Sequence, residues 1–183
     1  MSTRGTWVIR NAQVLLPDGN LSALDVQIRD GRIAALATGL RGEEELDAGG
    51  ALVAPGLIEL HTHGMRTEST ETGSLLEYAR IMAERGVNTS YPALFCSPER
   101  AAEHLRLHRR ETDELRLTPQ VAGFQLEAPY LAIASGGSAR SLVAISGPTT
   151  QFLLEAGGGL IRIWDFLPEL PLGGGDRLPS HPL

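Results

Sequence analysis

The chain has 183 residues, of which 42% are hydrophobic, and its formal net charge is −6. That length and composition allow one ordinary domain with a packed core, or a domain with an appendage. The acidic balance argues against nucleic-acid binding, because the only concentration of basic residues is Arg106, Arg109 and Arg110. No apolar stretch approaches the length of a membrane span, and the N-terminus lacks the apolar core of a signal peptide. We therefore expect a cytoplasmic protein.

Two features of the composition restrict the chemistry. Cys96 is the single cysteine, so an internal disulfide and a cysteine-rich metal cluster are both excluded. All 16 basic residues are arginine. Without lysine the chain cannot form a Schiff base, a Walker-type phosphate loop or a carbamylated-lysine bridge between two metal ions.

The first 54 residues have the pattern of small antiparallel strands. A strand is predicted from Thr6 to Leu16. Leu24 to Ile28 and Arg32 to Leu36 flank Asp30-Gly31, which is a hairpin signal. We interpret residues 1–54 as an N-terminal β segment that forms part of a β-sandwich.

After Pro55 the pattern changes to strands that alternate with helices, which predicts a parallel sheet with right-handed crossovers. The predicted strands are Leu57 to His63, Val87 to Tyr91, Gln120 to Glu127 and Leu160 to Trp164. The predicted helices run from Ser74 to about Arg85, from Ser97 to about Leu115 and from Pro148 to Ala156. Ser74 and Glu77 have the spacing of a capping box. Residues 55–171 are thus predicted as one α/β domain, and residues 172–183 as an aperiodic tail.

The segment His61-Thr62-His63-Gly64 is the most informative part of the chain. Histidines at i and i+2 project from the same side of a strand, so His61 and His63 can bind one divalent metal ion together. Imidazole suits zinc, nickel, copper and iron. The alternative is that both are solvated polar residues at a strand end.

A second pair, His104 and His108, has the i, i+4 spacing that can also bind a metal on a helix. These two lie among arginines on what we predict to be the outer face of the helix, so we do not expect a site there. His181 falls in the predicted tail.

Three motifs resemble those of a known family. They are Pro55-Gly56 with Leu57 to Leu60 and His61-Thr62-His63-Gly64, then Leu126-Glu127-Ala128-Pro129-Tyr130, then Phe166-Leu167-Pro168-Glu169. In these motifs the chain resembles the amidohydrolase superfamily, and within it the N-acetylglucosamine-6-phosphate deacetylases. The resemblance extends from about residue 6 to residue 170.

The resemblance implies an α/β fold that is a partial (β/α)8 TIM barrel of the metal-dependent hydrolase type, with about four β/α units. It implies a divalent metal, zinc by expectation and one or two ions, with His61, His63 and Glu127 as ligands. Glu127 would take the place that a carbamylated lysine has in dihydroorotases. The alternative for Glu127 is a strand-end carboxylate paired with an arginine. Ala139 and Arg140 align loosely with the substrate-contact loop of the family.

The implied reaction removes the acetyl group from N-acetylglucosamine 6-phosphate, so the expected partner is a small amino sugar phosphate. The acid/base aspartate of the family lies on a later strand, so no residue is assigned that role. The sequence departs from the family at Gln125, where histidine is common, at Ala128, where the family has glycine, and at Asp165, where threonine is common.

A complete barrel needs about 250 residues, so we expect this chain to correspond to the first half of one and to be inactive or nearly so alone. Three alternatives remain open. In the first, the chain is a non-catalytic fragment that forms a homo-oligomer or needs a complementary barrel fragment. In the second, it is an amidohydrolase that acts on another N-acyl amide. In the third, it is a complete small α/β metal-binding protein.

Overall fold

A computed structural model describes residues 5–115, 120–133 and 137–167. The chain divides into two compact units, Met1–Pro55 and Gly56–Leu183. The Pro168-Glu169 part of the third motif, the predicted tail and His181 lie outside the described residues.

The first unit is one sheet of five strands. They are β1 (Thr6–Leu15), β2 (Leu21–Arg29), β3 (Arg32–Ala37), β4 (Glu44–Asp47) and β5 (Leu52–Val53). The order is β3-β2-β1-β4, and β5 also pairs with β1. The predicted hairpin at Asp30-Gly31 is confirmed, because β2 and β3 pair antiparallel, and β1 also pairs antiparallel with β2. The prediction that all these strands are antiparallel is wrong, because β4 and β5 run parallel to β1. The β-sandwich remains a prediction.

The second unit alternates strands and helices as predicted. Its strands are β6 (Leu57–Thr62), β7 (Gly64–Met65), β8 (Glu68–Ser69), β9 (Val87–Leu94), β10 (Phe124–Tyr130) and β11 (Ile161–Phe166). Its helices are α1 (Leu75–Glu84), α2 (Pro98–Leu115) and α3 (Gly147–Gly157), with a 3₁₀ turn at Ala139–Ser141. Strands β6, β9, β10 and β11 form one parallel sheet in the order β11-β10-β9-β6. A mixed α/β fold with a parallel sheet is therefore confirmed, and the partial barrel remains a prediction.

Serine side chains begin two of the helices. The Ser74 hydroxyl accepts the backbone N–H of Glu77 at 3.3 Å and so satisfies one of the free donors of α1. The predicted capping box is only half formed, because the N–H of Ser74 donates to Glu68 Oε2 at 2.7 Å instead of to Glu77. Ser146 caps α3 in the same way, with its hydroxyl 3.3 Å from the N–H of Thr149.

The core of the second unit lies between the helices and the parallel sheet. Its largest fully buried side chains include Tyr78 and Met82 on α1, Leu105 on α2 and Phe124 on β10. Each helix contributes one apolar face, which is the usual way that helices cover a parallel sheet. This packing holds the four strands together from one side.

The prediction that His108 lies on an outer helix face is wrong. His108 is only 2% exposed, and its ring stacks on Phe124 with centroids 5.3 Å apart. Its Nε2 lies 3.0 Å from the Thr70 carbonyl oxygen, and its Nδ1 lies 2.8 Å from Glu111 Oε2. His104 is half-buried and stacks on His108. Both histidines therefore face the core.

Among the described residues, no helix is long and apolar enough to cross a membrane.

The single cysteine offers a test of this packing. Cys96 is 4% exposed, and burial raises the pKa of its thiol to about 12. Since only the thiolate reacts, we expect labelling by a thiol reagent at pH 8 to be at least ~100-fold slower in the native chain than in the chain unfolded in urea. The measurement is the rate of labelling in buffer without urea and at a urea concentration that unfolds the chain. Equal rates would contradict the packing of Cys96 in the core.

Candidate metal centre

His61 and His63 lie where β6 ends and the chain turns back. His61 is within β6, and His63 comes directly after it. Gly64 permits the turn, because it has φ +136° and a Cβ there would lie 2.1 Å from the Glu68 carbonyl oxygen. The carbonyl of His63 accepts the N–H of Thr70 at 3.0 Å, which closes the loop that carries β7 and β8. The backbone at the histidines is therefore held on both sides.

Glu127 reaches the same place from another strand. It lies in the middle of β10 between the buried residues Leu126 and Ala128. Strand β9 pairs in parallel with both β6 and β10, so the three strands point their carboxyl ends to one edge of the sheet. That edge is where side chains of successive parallel strands meet.

The three side chains converge on one carboxylate oxygen. Glu127 Oε2 lies 2.8 Å from His63 Nε2 and 3.5 Å from His61 Nε2. The two imidazole rings meet edge to face, with centroids 5.2 Å apart. One potential ligand atom from each residue lies within 4.8 Å of the other two. The side chains of His61, His63 and Glu127 are 46%, 47% and 21% exposed, so the cluster is open on the histidine side.

This donor set fits a divalent metal ion. Glu127 Oε2 is buried and has no hydrogen-bond partner among the described residues, while both imidazole Nε2 atoms lie within ion-pair distance of it. The ion-pair contacts of Glu127 in the described part of the chain are with histidine and not with arginine. Two imidazole nitrogens and one carboxylate oxygen are a ligand set that zinc accepts, with a further position left open.

Two carboxylates support the backbone around the cluster. Glu59 Oε1 accepts the N–H of His61 at 2.9 Å. Glu71 Oε1 accepts the N–H of Phe95 at 3.1 Å, which joins the loop after β8 to the end of β9. These two hydrogen bonds fix the backbone at His61 and at the end of β9.

The other predicted site residues are placed differently. Ala139 and Arg140 are exposed in the 3₁₀ turn, where the Ser138 hydroxyl accepts the N–H of Arg140 at 3.3 Å. In the described part of the chain they are not members of the His61–His63–Glu127 cluster. Their role in substrate binding remains a prediction.

The sequence analysis did not identify a polar pair beside the cluster. Gln125 Nε2 donates to Asp165 Oδ2 at 2.8 Å. The i, i+2 spacing of Gln125 and Glu127 was a usable signal, because it places both on one face of β10. The partner Asp165 could not be found in this way, since it depends on the register of β11 against β10.

Comparison of the sequence with known proteins finds dihydroorotases, while no family model matches. The chain is 32% identical over 119 residues to a dihydroorotase of Listeria monocytogenes, a match that covers 62% of this chain and 28% of that protein. A dihydroorotase of Bacillus cytotoxicus is 36% identical over 76 residues, or 38% of this chain and 18% of that protein. The matches thus cover less than a third of these relatives.

Solved structures of N-acetylglucosamine-6-phosphate deacetylases share the fold. The enzyme of Mycobacterium smegmatis matches with a TM-score of 0.73 and 21% identity over 90% of this chain and 47% of that chain. The enzyme of Pasteurella multocida matches with a TM-score of 0.74 and 19% identity over 91% of this chain and 46% of that chain. The chain therefore spans about half the length of these structures. The shared fold and the sequence matches together confirm the predicted resemblance to the amidohydrolase superfamily, which includes both the deacetylases and the dihydroorotases.

Proposed function

We propose that this chain carries the metal centre of an amide hydrolase, with His61, His63 and Glu127 as ligands of one divalent ion, zinc by preference. The observation that supports this most directly is the convergence of two histidine Nε2 atoms on the buried Oε2 of Glu127, which has no hydrogen-bond partner among the described residues. A buried carboxylate oxygen without a hydrogen bond is costly, and a cation bound at that oxygen offsets the cost.

The three proposed ligands have different roles in metal binding and in the reaction. A bound divalent ion supplies a Lewis acid for an amide carbonyl and makes water a better nucleophile near neutral pH. Glu127 contributes the negative charge that balances the ion, while the two imidazoles contribute neutral nitrogen ligands. The histidine side chains are nearly half exposed, so substrate and water approach the ion from their side.

The substrate class we propose is an N-acyl amide, with N-acetylglucosamine 6-phosphate as the first candidate. It is supported by the shared fold, which includes a Mycobacterium smegmatis deacetylase variant solved in complex with N-acetyl-D-glucosamine-6-phosphate. In this proposal Arg140 offers a positive charge for the phosphate from the exposed turn at Ala139–Ser141.

A second candidate is the hydrolysis of a cyclic amide, as in the dihydroorotases that the sequence resembles. The composition weighs against a site built like theirs, because this chain contains no lysine to carbamylate. In this alternative Glu127 would hold the metal in place of that lysine, together with His61 and His63.

Metal binding is the first test. We expect the full chain to bind about one zinc ion, and the substitutions His63→Ala and Glu127→Gln each to weaken binding by more than ~100-fold, since even loss of an indirect contact costs 10- to 100-fold. The measurement is calorimetric titration of the metal-free chain with zinc. Glu155→Gln is the matched control, because Glu155 is exposed on α3 and its Oε1 bonds only to Gln151 among the described residues. Unchanged affinity in both site variants would contradict the proposed ligands.

Turnover is the second test. Acetate release from N-acetylglucosamine 6-phosphate by the zinc-loaded full chain, abolished by a chelator and restored by fresh zinc, would support the deacetylase proposal and would contradict the expectation from the sequence that the chain alone is inactive or nearly so. Hydrolysis of dihydroorotate in the same preparation would favour the second candidate. Bound zinc without turnover of either compound would agree with the expected inactivity, and metal binding would then be the only part of the proposal with support.

A further inference from the structure

Gln125 is a buried polar side chain on strand β10, between two apolar residues of that strand. It is 5% exposed, and its neighbours along β10 are Phe124 and Leu126, both fully buried. It lies two residues before Glu127, so the two side chains project from the same face of the strand. A glutamine in this position is therefore beside the proposed metal centre and shielded from water.

Asp165 fixes the orientation of the Gln125 carboxamide. A carboxylate oxygen accepts hydrogen bonds but does not donate them, so Gln125 must present its NH₂ group to Asp165 Oδ2, at 2.8 Å. The carbonyl oxygen of the same carboxamide then faces away from Asp165. That oxygen, Oε1, is buried and has no hydrogen-bond partner among the described residues.

A buried acceptor without a donor is uncommon in a folded protein and calls for an explanation. The orientation set by Asp165 means that rotation of the carboxamide cannot remove the problem, because it would place two oxygens against each other. The described residues supply no donor for Gln125 Oε1, so this atom is free to accept an N–H or O–H group from a bound molecule.

We propose that Gln125 Oε1 accepts a hydrogen bond from the N–H of the substrate amide, an inference that rests on the proposed function. Residues i and i+2 of a strand are about 6.6 Å apart. A secondary amide carries its carbonyl oxygen and its N–H on opposite sides. The two ends of one amide group can therefore face two side chains that lie on the same face of a strand. The carbonyl oxygen then lies toward Glu127 and the N–H toward Gln125.

The two residues have different roles in this arrangement. Gln125 touches the substrate and selects for an N–H at the scissile bond, so esters and N-alkylated amides are bound less well. Asp165 is a positioning residue, which acts only by holding the carboxamide of Gln125 in one orientation. The pair therefore determines specificity and leaves the metal ligands unchanged.

The test compares two small metal-binding ligands on the zinc-loaded full chain. Acetohydroxamic acid carries an N–H, whereas N-methylacetohydroxamic acid does not. We expect the chain to bind the first about tenfold more tightly, as measured by calorimetry, which is the effect of one hydrogen bond in a buried site. In Gln125→Met the ratio of the two affinities should fall to about one, while zinc affinity stays the same.

Two further variants separate specificity from structure. Gln151→Met is the matched control, because Gln151 is exposed on α3, and it should keep the tenfold ratio. Asp165→Asn should reduce the ratio in part, since an asparagine no longer forces the carboxamide of Gln125 into one orientation. A merely structural role for Asp165 would lower the melting temperature and leave the ratio unchanged.

The outcomes distinguish the two proposals. Equal affinities in the unaltered chain, or a tenfold ratio that persists in Gln125→Met, would overturn the amide N–H contact while zinc binding upholds the metal centre. Failure of the unaltered chain to bind zinc would overturn the proposed function and the contact with it. The ratio in the unaltered chain needs no variant, so the test does not depend on the folding of Gln125→Met.

Discussion

The parallel pairing of β6, β9 and β10 is the constraint on which the candidate site depends. Strands β6 and β10 are not neighbours, so their side chains must meet across β9, over a distance of about 9.5 Å. Histidine and glutamate are long enough to meet there only if β9 leaves room. The residue of β9 in register with Gln125, two positions before Glu127 on β10, is Ala93. Ala93 is fully buried, and its side chain is a single methyl group. A small residue on the middle strand thus accompanies long polar residues on its two neighbours.

Helix α2 reaches the same edge of the sheet through Thr70. The N–H of Thr70 donates to the His63 carbonyl, its hydroxyl donates to the Ala93 carbonyl at 2.6 Å, and its own carbonyl oxygen lies 3.0 Å from His108 Nε2. One residue therefore connects the loop that follows His63, strand β9 and the core face of α2. Because the polar groups involved are buried and paired, the connection is costly to break, and the position of His63 follows from the packing of the whole second unit.

Much of the second unit could be predicted from the sequence, since periodicity decides which elements form. The apolar run before His61 and the serine at Ser74 both marked true element starts. The prediction of an exposed His108 was wrong because the arginines beside it in the sequence indicated a solvent-facing helix surface. The spacing of Ala101, Leu105, His108 and Thr112, all buried, is that of a core stripe on a helix. The parallel pairing of β4 and β5 with β1, and the contact of Gln125 with Asp165, depend on which strands become neighbours and in what register. Local sequence does not encode either directly.

Strand β10 carries two buried acceptors that lack donors among the described residues, Gln125 Oε1 and Glu127 Oε2. A buried acceptor without a donor costs about 1–3 kcal/mol relative to a paired one. The remaining residues of the strand follow the rule for a buried strand and are all buried: Phe124, Leu126, Ala128, Pro129 and Tyr130. Sequences depart from local stability rules mainly at functional sites. Two departures on one face of one strand, next to a pair of converging imidazoles, are what we expect of the proposed site, in which Glu127 would hold a cation and Gln125 would accept an amide N–H.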